Sequence, residues 1–484
     1  MAPRRNLSRP FGPKKSLKFG IPSPDGLNLR RTGSHQKKDM AEILPFRALR
    51  FNPETVGKLE SVVTQPYDKI SPEMQARYYA ASQFNIVRVI RSREEPGDSA
   101  KNNVYTRAAE TLGGWIRNRA LVSEAEPALY RYDQEFREPQ DARAIMRRRG
   151  FIALGRLEDY SAGIVFPHEE TLSGPKADRL ELLKATHAHF GQIFVLYSDP
   201  EGAIEATLES YSPATERPWE RATDEYGTVH TVWRVQNGSA IESIVEKMRS
   251  KKLVIADGHH RYETALAFRD FGRSRLGDDP RADYAMMTFV RMETDGLTIL
   301  PTHRVLHSLR DFDWKGTLAG AQEFFEWTLA AREGGDWRGR FLTTLSELGR
   351  ARPALGVYAG SERLGWLALK PAIPLARLLP DLPSALARLD TVLLHRLLIE
   401  RVLGISREAV REEKNLRYIR EPDLAFEEVD RGRAHMAFLM NPTPVREVWG
   451  NALAGHVLPQ KSTDFYPKLL SGLTAYWLDN PAGI

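Results

Sequence analysis

The amino-acid sequence predicts an α+β protein: a mixed α/β core over residues 40–310, then a largely helical α+β region over residues 311–484 that packs on it. Up to about residue 310, segments with strand-like patterns alternate with segments of helical spacing. Beyond that point the chain is richer in Leu and Arg at helical intervals. With 484 residues, 42% of them hydrophobic, the chain is long enough to form more than one core.

The first 39 residues differ from the rest in composition. They are rich in Pro, Gly, Ser, Lys and Arg, and they show neither helical nor strand periodicity. They carry a formal charge of +8, whereas the whole chain carries +6, so the other 445 residues carry −2. We expect a disordered basic extension or a mis-assigned start, with Met40 opening the globular protein. The nearly neutral body argues against nucleic acid as a partner.

Composition also excludes several classes of protein. The absence of cysteine excludes a disulfide scaffold, a thiolate metal site and a cysteine nucleophile, and it fits a cytoplasmic location. No stretch approaches the roughly 18 consecutive apolar residues of a membrane span. The sequence contains no Walker A, GxGxxG, GxSxG or HExxH motif, which disfavours the conventional P-loop, Rossmann, hydrolase and zinc-protease sites.

The elements before residue 160 follow from local patterns. Residues 42–51 predict a strand or extended segment. A proline at the first position begins a short helix over 72–80, and apolar residues at helical spacing predict a helix over 103–119. Alternating apolar and polar residues predict strands over 85–91, 129–136 and 149–157. A charged loop is expected over 137–148, between the second and third of these strands.

The later elements are predicted in the same way. Helices are expected from residue 180, over 240–249 and from about residue 260, where apolar residues recur at three- and four-residue intervals. Short apolar runs predict strands over 192–197, 229–235, 253–256 and 284–291. In the C-terminal region we expect helices over 375–403 and strands near 433–441.

A turn between a strand and a helix is the strongest functional signal. The apolar strand 253–256 runs into Asp257, Gly258, His259, His260 and Arg261, where a helix begins. The free N–H groups and the positive dipole end of a helix N-terminus favour a bound anion. Glycine allows close approach of the backbone, and the planar arginine fork matches phosphate oxygens. The turn therefore predicts a phosphate site, the alternative being a capped helix with surface histidines.

A second cluster precedes the helix that starts at residue 180. His168 and Glu169 are followed by Lys176, Asp178 and Arg179. The carboxylates are suited to Mg²⁺ or to orienting a hydroxyl, and the cations are suited to balancing phosphate charge. Equally, the cluster fits a solvated loop that caps the following helix.

Two further segments are candidates. Residues 459–468 form a loop rich in lysine and hydroxyl groups, whose aromatic residues also fit a purely packing role. Pro66 excludes a helix interior and predicts a turn that presents Tyr67 and Asp68.

Several separated motifs together resemble a known family. They are MAEILPFRALRF at 40–51, TQPYDKIS at 64–71, HEET at 168–171, PKADR at 175–179, ADGHHRYETA at 256–265 and PQKSTDFYPKLLSGL at 459–473. The chain thereby resembles, over about residues 40–475, a bacterial and archaeal family catalogued as a domain of unknown function. One departure is Asp464, where the resemblance leads us to expect an aromatic residue.

The resemblance carries expectations about fold and activity. The Asp-Gly-His-His-Arg element is similar to the phosphate motif of the ParB/sulfiredoxin fold, some members of which are free L-serine kinases. It implies a nucleotide-dependent phosphotransferase that converts the hydroxyl of a small metabolite such as L-serine to a phosphate ester, using ATP or ADP with Mg²⁺. The alternatives are a nucleotide hydrolase or phosphatase and a ParB-like, nucleotide-gated binding protein.

The site residues are assigned on this basis. Catalytic roles are expected for Glu169, Asp68 and Arg261. Nucleotide-phosphate contacts are expected from Asp257, Gly258, His259, His260, Arg261, Lys176, Arg179 and Lys461. Substrate contacts are expected from Tyr67, His168, Ser462 and Thr463. No residue is assigned to a metal.

Overall fold

The computed structural model describes residues 40–139, 141–171, 173–276, 280–332 and 334–480. The basic segment predicted over residues 1–39 lies outside the described residues.

Strands and helices are interspersed along the described chain. The strands are β1 (Ile43–Leu44), β2 (Leu49–Phe51), β3 (Leu121–Ser123), β4 (Leu129–Glu138), β5 (Asp141–Arg156), β6 (Val165–Phe166), β7 (Ala188–His189), β8 (Ile193–Tyr197), β9 (Glu220–Thr223), β10 (Val229–Val235), β11 (Leu253–Asp257), β12 (Tyr284–Arg291), β13 (Thr298–Leu300), β14 (His303–Leu306), β15 (Phe325–Leu329), β16 (Ala354–Tyr358), β17 (Leu364–Leu369), β18 (Leu416–Ile419), β19 (Met436–Leu439), β20 (Asp464–Tyr466) and β21 (Tyr476–Trp477).

The helices are α1 (Pro53–Val56), α2 (Pro72–Ala81), α3 (Val87–Ile90), α4 (Val104–Arg117), α5 (Ser173–Thr186), α6 (Ala203–Tyr211), α7 (Gly238–Arg249), α8 (His259–Leu276), α9 (Trp314–Ala321), α10 (Trp337–Ala351), α11 (Leu375–Leu378), α12 (Ser384–Ala387), α13 (Asp390–Leu393), α14 (Arg407–Arg411), α15 (Pro422–Asp430) and α16 (Val445–Leu453). A π-helix, Leu394–Val402, directly continues α13, and a short 3₁₀ turn spans Tyr67–Lys69.

The larger sheet has the strand order β6-β11-β8-β12-β5-β4-β10-β9, with β1 added beside β5. The pairs β11–β6 and β12–β8 are parallel and the other pairs are antiparallel, so the sheet is mixed. One face packs on α6, α7 and α8 through apolar side chains, as expected for a layered α/β arrangement. The predicted mixed α+β class is confirmed.

The smaller sheet shows that the C-terminal region is less helical than predicted. Six antiparallel strands follow the order β15-β17-β16-β19-β14-β18, with helices on both faces. All five residues of β16 are buried, so this strand lacks the alternation that distinguishes a strand from a buried helix. The predicted helical span 375–403 is present, but it is divided into α11, α12, α13 and the π-helix.

The last part of the chain returns to the larger sheet. β20 pairs with β13, and Val448, Phe465, Leu470 and Tyr476 share a core with residues of the larger sheet. The smaller sheet starts at His303, close to the domain boundary predicted near residue 310. The C-terminal elements α16 and β20 therefore lie beside β11.

Two local predictions were wrong. The strand expected over 85–91 is the short helix α3, because the Asn85 side chain accepts a hydrogen bond from the Val87 N–H and the apolar residues pack in a core with Trp115. The charged loop expected over 137–148 belongs mostly to a long β4–β5 hairpin. There Glu135 pairs with Arg147, a cross-strand pair of opposite charges that suits a solvated hairpin.

Among the described residues, no helix is both long enough and apolar enough to cross a lipid bilayer.

Candidate functional site

The main cavity has a volume of about 470 Å³ and lies at the end of β11. Its walls come from the 3₁₀ turn Tyr67–Lys69, the start of α8, the segment 459–468 and the residues that follow β18. Ten of the residues predicted from the sequence line it: Tyr67, Asp68, Glu169, Asp257, Gly258, His259, His260, Arg261, Lys461 and Thr463. The volume falls within the range of small-molecule sites.

The turn between β11 and α8 has the predicted geometry. β11 ends at Asp257, Gly258 has a φ of 89°, and α8 begins at His259. A side chain at Gly258 is disfavoured by this backbone conformation, and its Cβ would lie 3.0 Å from the guanidinium of Arg261. The N-terminus of the 18-residue helix α8 therefore faces the main cavity across a glycine turn.

Arg261 is held in place at this turn. Its Nη2 lies 2.8 Å from Asp257 Oδ2, and its Nη1 donates to the carbonyl of Gln192. Its side chain is 13% exposed, so the guanidinium has little freedom to reorient. Fixing the arginine in advance lowers the conformational entropy lost when it binds an anion.

A buried lysine links two carboxylates behind the turn. Lys468 Nζ lies 3.2 Å from Asp257 Oδ1 and 2.9 Å from Asp464 Oδ1, and only 7% of its side chain is exposed. Burial favours a neutral Lys468, but Asp257 and Asp464 outweigh it and raise the pKa of the ammonium. Burial likewise favours protonation of Asp257, yet Lys468, Arg261 and Lys69 hold its pKa well below the ordinary value.

Asp464 gathers three cations. Lys468 and Lys69 approach its Oδ1 at 2.9 and 3.4 Å, and Arg420 Nε contacts its Oδ2. An aromatic residue at position 464, which the resemblance led us to expect, lacks the charge to hold these cations. No role was expected from the sequence for Lys69, Arg420, Asp464 or Lys468. Lys468 and Asp464 lie four residues apart in a segment already singled out, whereas nothing local in the sequence points to Arg420.

Glu169 is a largely buried acid of the main cavity, with 13% of its side chain exposed. Its Oε1 accepts a hydrogen bond from the N–H of Lys461, and its Oε2 lies 3.3 Å from Thr463 Oγ1. Burial raises the pKa of Glu169 to about 7, against the opposing effect of Lys461. The carboxyl can therefore exchange a proton near neutral pH, which suits general acid–base chemistry.

His168 and His259 connect the segments that form the main cavity through hydrogen bonds. His168 is fully buried, with Nδ1 2.5 Å from the carbonyl oxygen of Ile255 and Nε2 2.7 Å from Thr463 Oγ1. Nδ1 therefore donates and Nε2 accepts, and burial lowers the pKa of His168 to about 4, which keeps it neutral. The His168 N–H donates to His259 Nε2 at 3.2 Å. These bonds tie β11 to the segment 459–468.

Four predicted residues do not line the main cavity. His168 lies behind its wall, and the Ser462 hydroxyl donates to the Pro459 carbonyl at 2.5 Å. Lys176 pairs with Glu263. Arg179 pairs with Asp178 at 2.5 Å and lies over the Tyr67 ring at 4.1 Å.

Lys461 is positioned through its backbone. Its N–H donates to Glu169, and its carbonyl accepts from Nη2 of the fully buried Arg304 at 3.0 Å. With a φ of 59°, the residue adopts a left-handed conformation that turns its side chain into the main cavity. A cation of this kind is available to an anionic ligand.

The described residues contain no cluster of three or more His, Asp or Glu side chains suited to a metal ion. Mg²⁺ often keeps several waters and binds through one or two carboxylates together with substrate phosphates. Asp68 and Glu169, which both line the main cavity, fit that limited role for a metal that arrives with a nucleotide.

Comparisons with known proteins found distant structural neighbours. A free serine kinase mutant in complex with AMP is 13% identical, with a TM-score of 0.32 over 64% of this chain and 89% of that chain. A conserved hypothetical protein from Pyrococcus furiosus is 12% identical, with a TM-score of 0.32 over 64% and 91%. SbnI from Staphylococcus aureus, truncated at its C-terminus, is 11% identical, with a TM-score of 0.32 over 66% and 85%.

No curated protein matches the sequence. The motifs along the chain nevertheless point to a single family, and a family model tests that resemblance directly. The model described as "Protein of unknown function (DUF1015)" matches residues 43–392, well over half of the chain, and the protein therefore belongs to this family.

Proposed function

We propose that the main cavity binds a nucleotide and transfers a phosphoryl group from it to the hydroxyl of a small metabolite such as free L-serine. One observation carries the proposal. The N-terminus of α8, with its glycine turn and fixed Arg261, shares the main cavity with Glu169, a buried carboxyl whose pKa is raised to about 7. An anion-binding turn and a proton acceptor are the two parts that phosphoryl transfer needs.

The phosphates of the donor lie at the turn. The N–H groups at the start of α8 have no partners within the helix, and the helix dipole favours negative charge there. Arg261 stabilises the transferred group from one side. Lys461 and His260 stabilise it from the segment 459–468 and from the first turn of α8.

The acceptor lies on the Glu169 side of the main cavity. Its hydroxyl oxygen forms a bond to the transferred phosphorus while the bond from phosphorus to the nucleotide oxygen breaks. The hydroxyl proton passes to the ionised Glu169, and the nucleotide leaves with one phosphate fewer. Asp68, which is exposed at the rim, orients the hydroxyl or contacts Mg²⁺ carried by the phosphates. Tyr67 and Thr463 complete the acceptor side.

The same turn supports a finer assignment of the fold. We propose that the larger sheet with α8 is a ParB/sulfiredoxin-like nucleotide-binding core. The support is the position of the Asp-Gly-His-His-Arg element, which lies directly between a sheet strand and a long helix. The proposed activity on a free nucleotide and a small metabolite also fits a cytoplasmic protein.

The activity is tested by phosphorus NMR on the purified protein with Mg²⁺ and L-serine, supplying ATP, ADP or pyrophosphate in turn. We expect O-phosphoserine with at least one donor. We expect Arg261→Ala to weaken donor binding tenfold or more and Glu169→Gln to lower kcat a hundredfold or more. Release of inorganic phosphate without an acceptor indicates a hydrolase instead. Nucleotide binding without turnover indicates a nucleotide-gated binding protein.

A further inference from the structure

A second cavity, of about 160 Å³, lies against the π-helix Leu394–Val402. We call it the π-helix cavity. Apolar side chains form much of its wall, including Leu386, which is 6% exposed, and Val457, which is 38% exposed. Taking a liquid-water volume of roughly 30 Å³, the space holds about five water molecules. A small organic molecule of a few carbon atoms therefore fits there.

A buried histidine lines this cavity without a partner. His395 is the second residue of the π-helix and is 6% exposed, and its Nε2 has no hydrogen-bond partner among the described residues. A buried polar atom left unsatisfied costs roughly 1–3 kcal/mol. π-helical turns are rare and occur frequently at functional sites. The nitrogen and the local helix distortion both point to a ligand.

The arginines of the π-helix cavity differ in how strongly they are paired. Arg396 contacts Asp381 at 2.9 Å and Glu400 at 3.4 Å. Arg411 has only a distant pairing, 3.9 Å from Glu170, and 62% of its side chain is exposed. Arg411 is therefore the cation most available to a negatively charged ligand.

We propose that the π-helix cavity binds a small aliphatic carboxylate. The hydrocarbon part packs on Leu386 and Val457, and the carboxylate meets the guanidinium of Arg411. His395 donates its Nε2–H to the same carboxylate, which is the only polar group of such a ligand. A planar guanidinium is suited to a carboxylate because it offers two parallel N–H donors.

The position of the π-helix cavity makes it a regulatory site. Pro459 and Gln460 line it, and the next residue, Lys461, lines the main cavity. Glu170 lines both cavities, and its N–H donates to the Leu458 carbonyl at 3.2 Å. A ligand in the π-helix cavity therefore changes the conformation of Pro459 and Gln460, which directly precede Lys461. If a ligand of the π-helix cavity changes the affinity of the main cavity for its own ligand, that second ligand changes the affinity of the π-helix cavity by the same factor.

Binding is tested by titration calorimetry of the full chain with 4-methylpentanoate and with its uncharged amide. We expect saturable binding of the acid and at least tenfold weaker binding of the amide. Arg411→Gln should weaken binding of the acid tenfold or more, and Val457→Trp should fill the cavity with a larger side chain and abolish binding. Arg388→Gln, which changes an exposed arginine outside the cavity lining, is the matched control and should leave binding unchanged. No saturable binding of the acid, equal binding of the amide, or full binding to Val457→Trp overturns the proposal.

The regulatory role is tested without a nucleotide, so its outcome does not depend on the proposed kinase activity. The amide resonance of Lys461 is followed by NMR while 4-methylpentanoate is added. A saturable shift with the affinity found by calorimetry supports coupling between the two cavities. A Lys461 resonance that stays constant at saturation excludes it.

Discussion

Two carboxyl groups of the main cavity sit in opposite electrostatic settings. Glu169 is buried with few compensating charges, and its pKa is raised to about 7. Asp464 is more deeply buried, with 6% of its side chain exposed against 13% for Glu169, but Lys468, Lys69 and Arg420 surround it and hold its pKa far below the ordinary value. The first is set to exchange protons and the second to stay ionised. This division supports the acid–base role proposed for Glu169 and suits Asp464 to a positioning role.

The raised pKa of Glu169 predicts a pH-dependent cost in stability. The folded state holds this proton more tightly than the unfolded state, whose pKa is near 4.5, so stability is lost as pH rises from about 4.5 to about 7. The loss is on the order of 3 kcal/mol. In urea titrations at pH 5 and pH 8, Glu169→Gln should therefore gain stability relative to wild type at the higher pH.

The matched control for this measurement is Glu181→Gln, which changes a half-exposed carboxylate on α5. The difference in the free energy of unfolding between this variant and wild type should be the same at both pH values. If the difference in the free energy of unfolding between Glu169→Gln and wild type is also the same at both pH values, Glu169 does not hold a proton near neutral pH.

At the scale of elements, the β11–α8 unit forms the proposed anion site. The sequence predicted this unit closely, because an apolar run, a glycine and a helical pattern are all local signals. The same local reasoning failed at 85–91 and 137–148, where burial against α4 and pairing across a hairpin decide the structure. Local patterns also could not show that Lys176 and Arg179 pair with Glu263 and Asp178 and do not line the main cavity.

Substitution of Gly258 tests the role of the turn between β11 and α8. An alanine there must adopt a φ of 89° and press against Arg261 at 3.0 Å, which we expect to cost about 1–2 kcal/mol and to weaken donor binding about tenfold. Gly238→Ala, at the first position of α7, is the control, because its Cβ meets open space and its backbone is ordinary. It should change stability by less than about 1 kcal/mol. Urea denaturation and calorimetry measure both effects, and equal behaviour of the two variants contradicts the role of the turn.

At the scale of the molecule, the main cavity draws on residues far apart in the chain. Tyr67, Asp257, Arg420 and Lys468 line it together. The sequence indicated most of these segments separately, through motifs that carry chemistry. It gave no sign of Arg420, because the contribution of β18 depends on how the smaller sheet is placed. Too few strands of the smaller sheet were predicted for a related reason. Its short buried strands do not show the alternation of apolar and polar residues by which a strand is recognised.

Removing residues 441–484 tests this dependence. Val448, Phe465, Leu470 and Tyr476 are each less than 5% exposed in the core of the larger sheet. Losing such side chains at roughly 1.5–3 kcal/mol each offsets most of a net stability of about 5–15 kcal/mol. We expect the shortened chain to lack a cooperative thermal transition. A cooperative transition in the C-terminally shortened chain contradicts the expectation.

The contribution of Asp464 and Lys468 to the main cavity has a consequence for biosynthesis. A ribosome makes the glycine turn and Arg261 long before it makes the lysine that steadies Asp257. A nascent chain that already carries the turn therefore lacks a finished pocket. If the main cavity binds a nucleotide as proposed, binding is expected only after Lys468 has emerged from the ribosome.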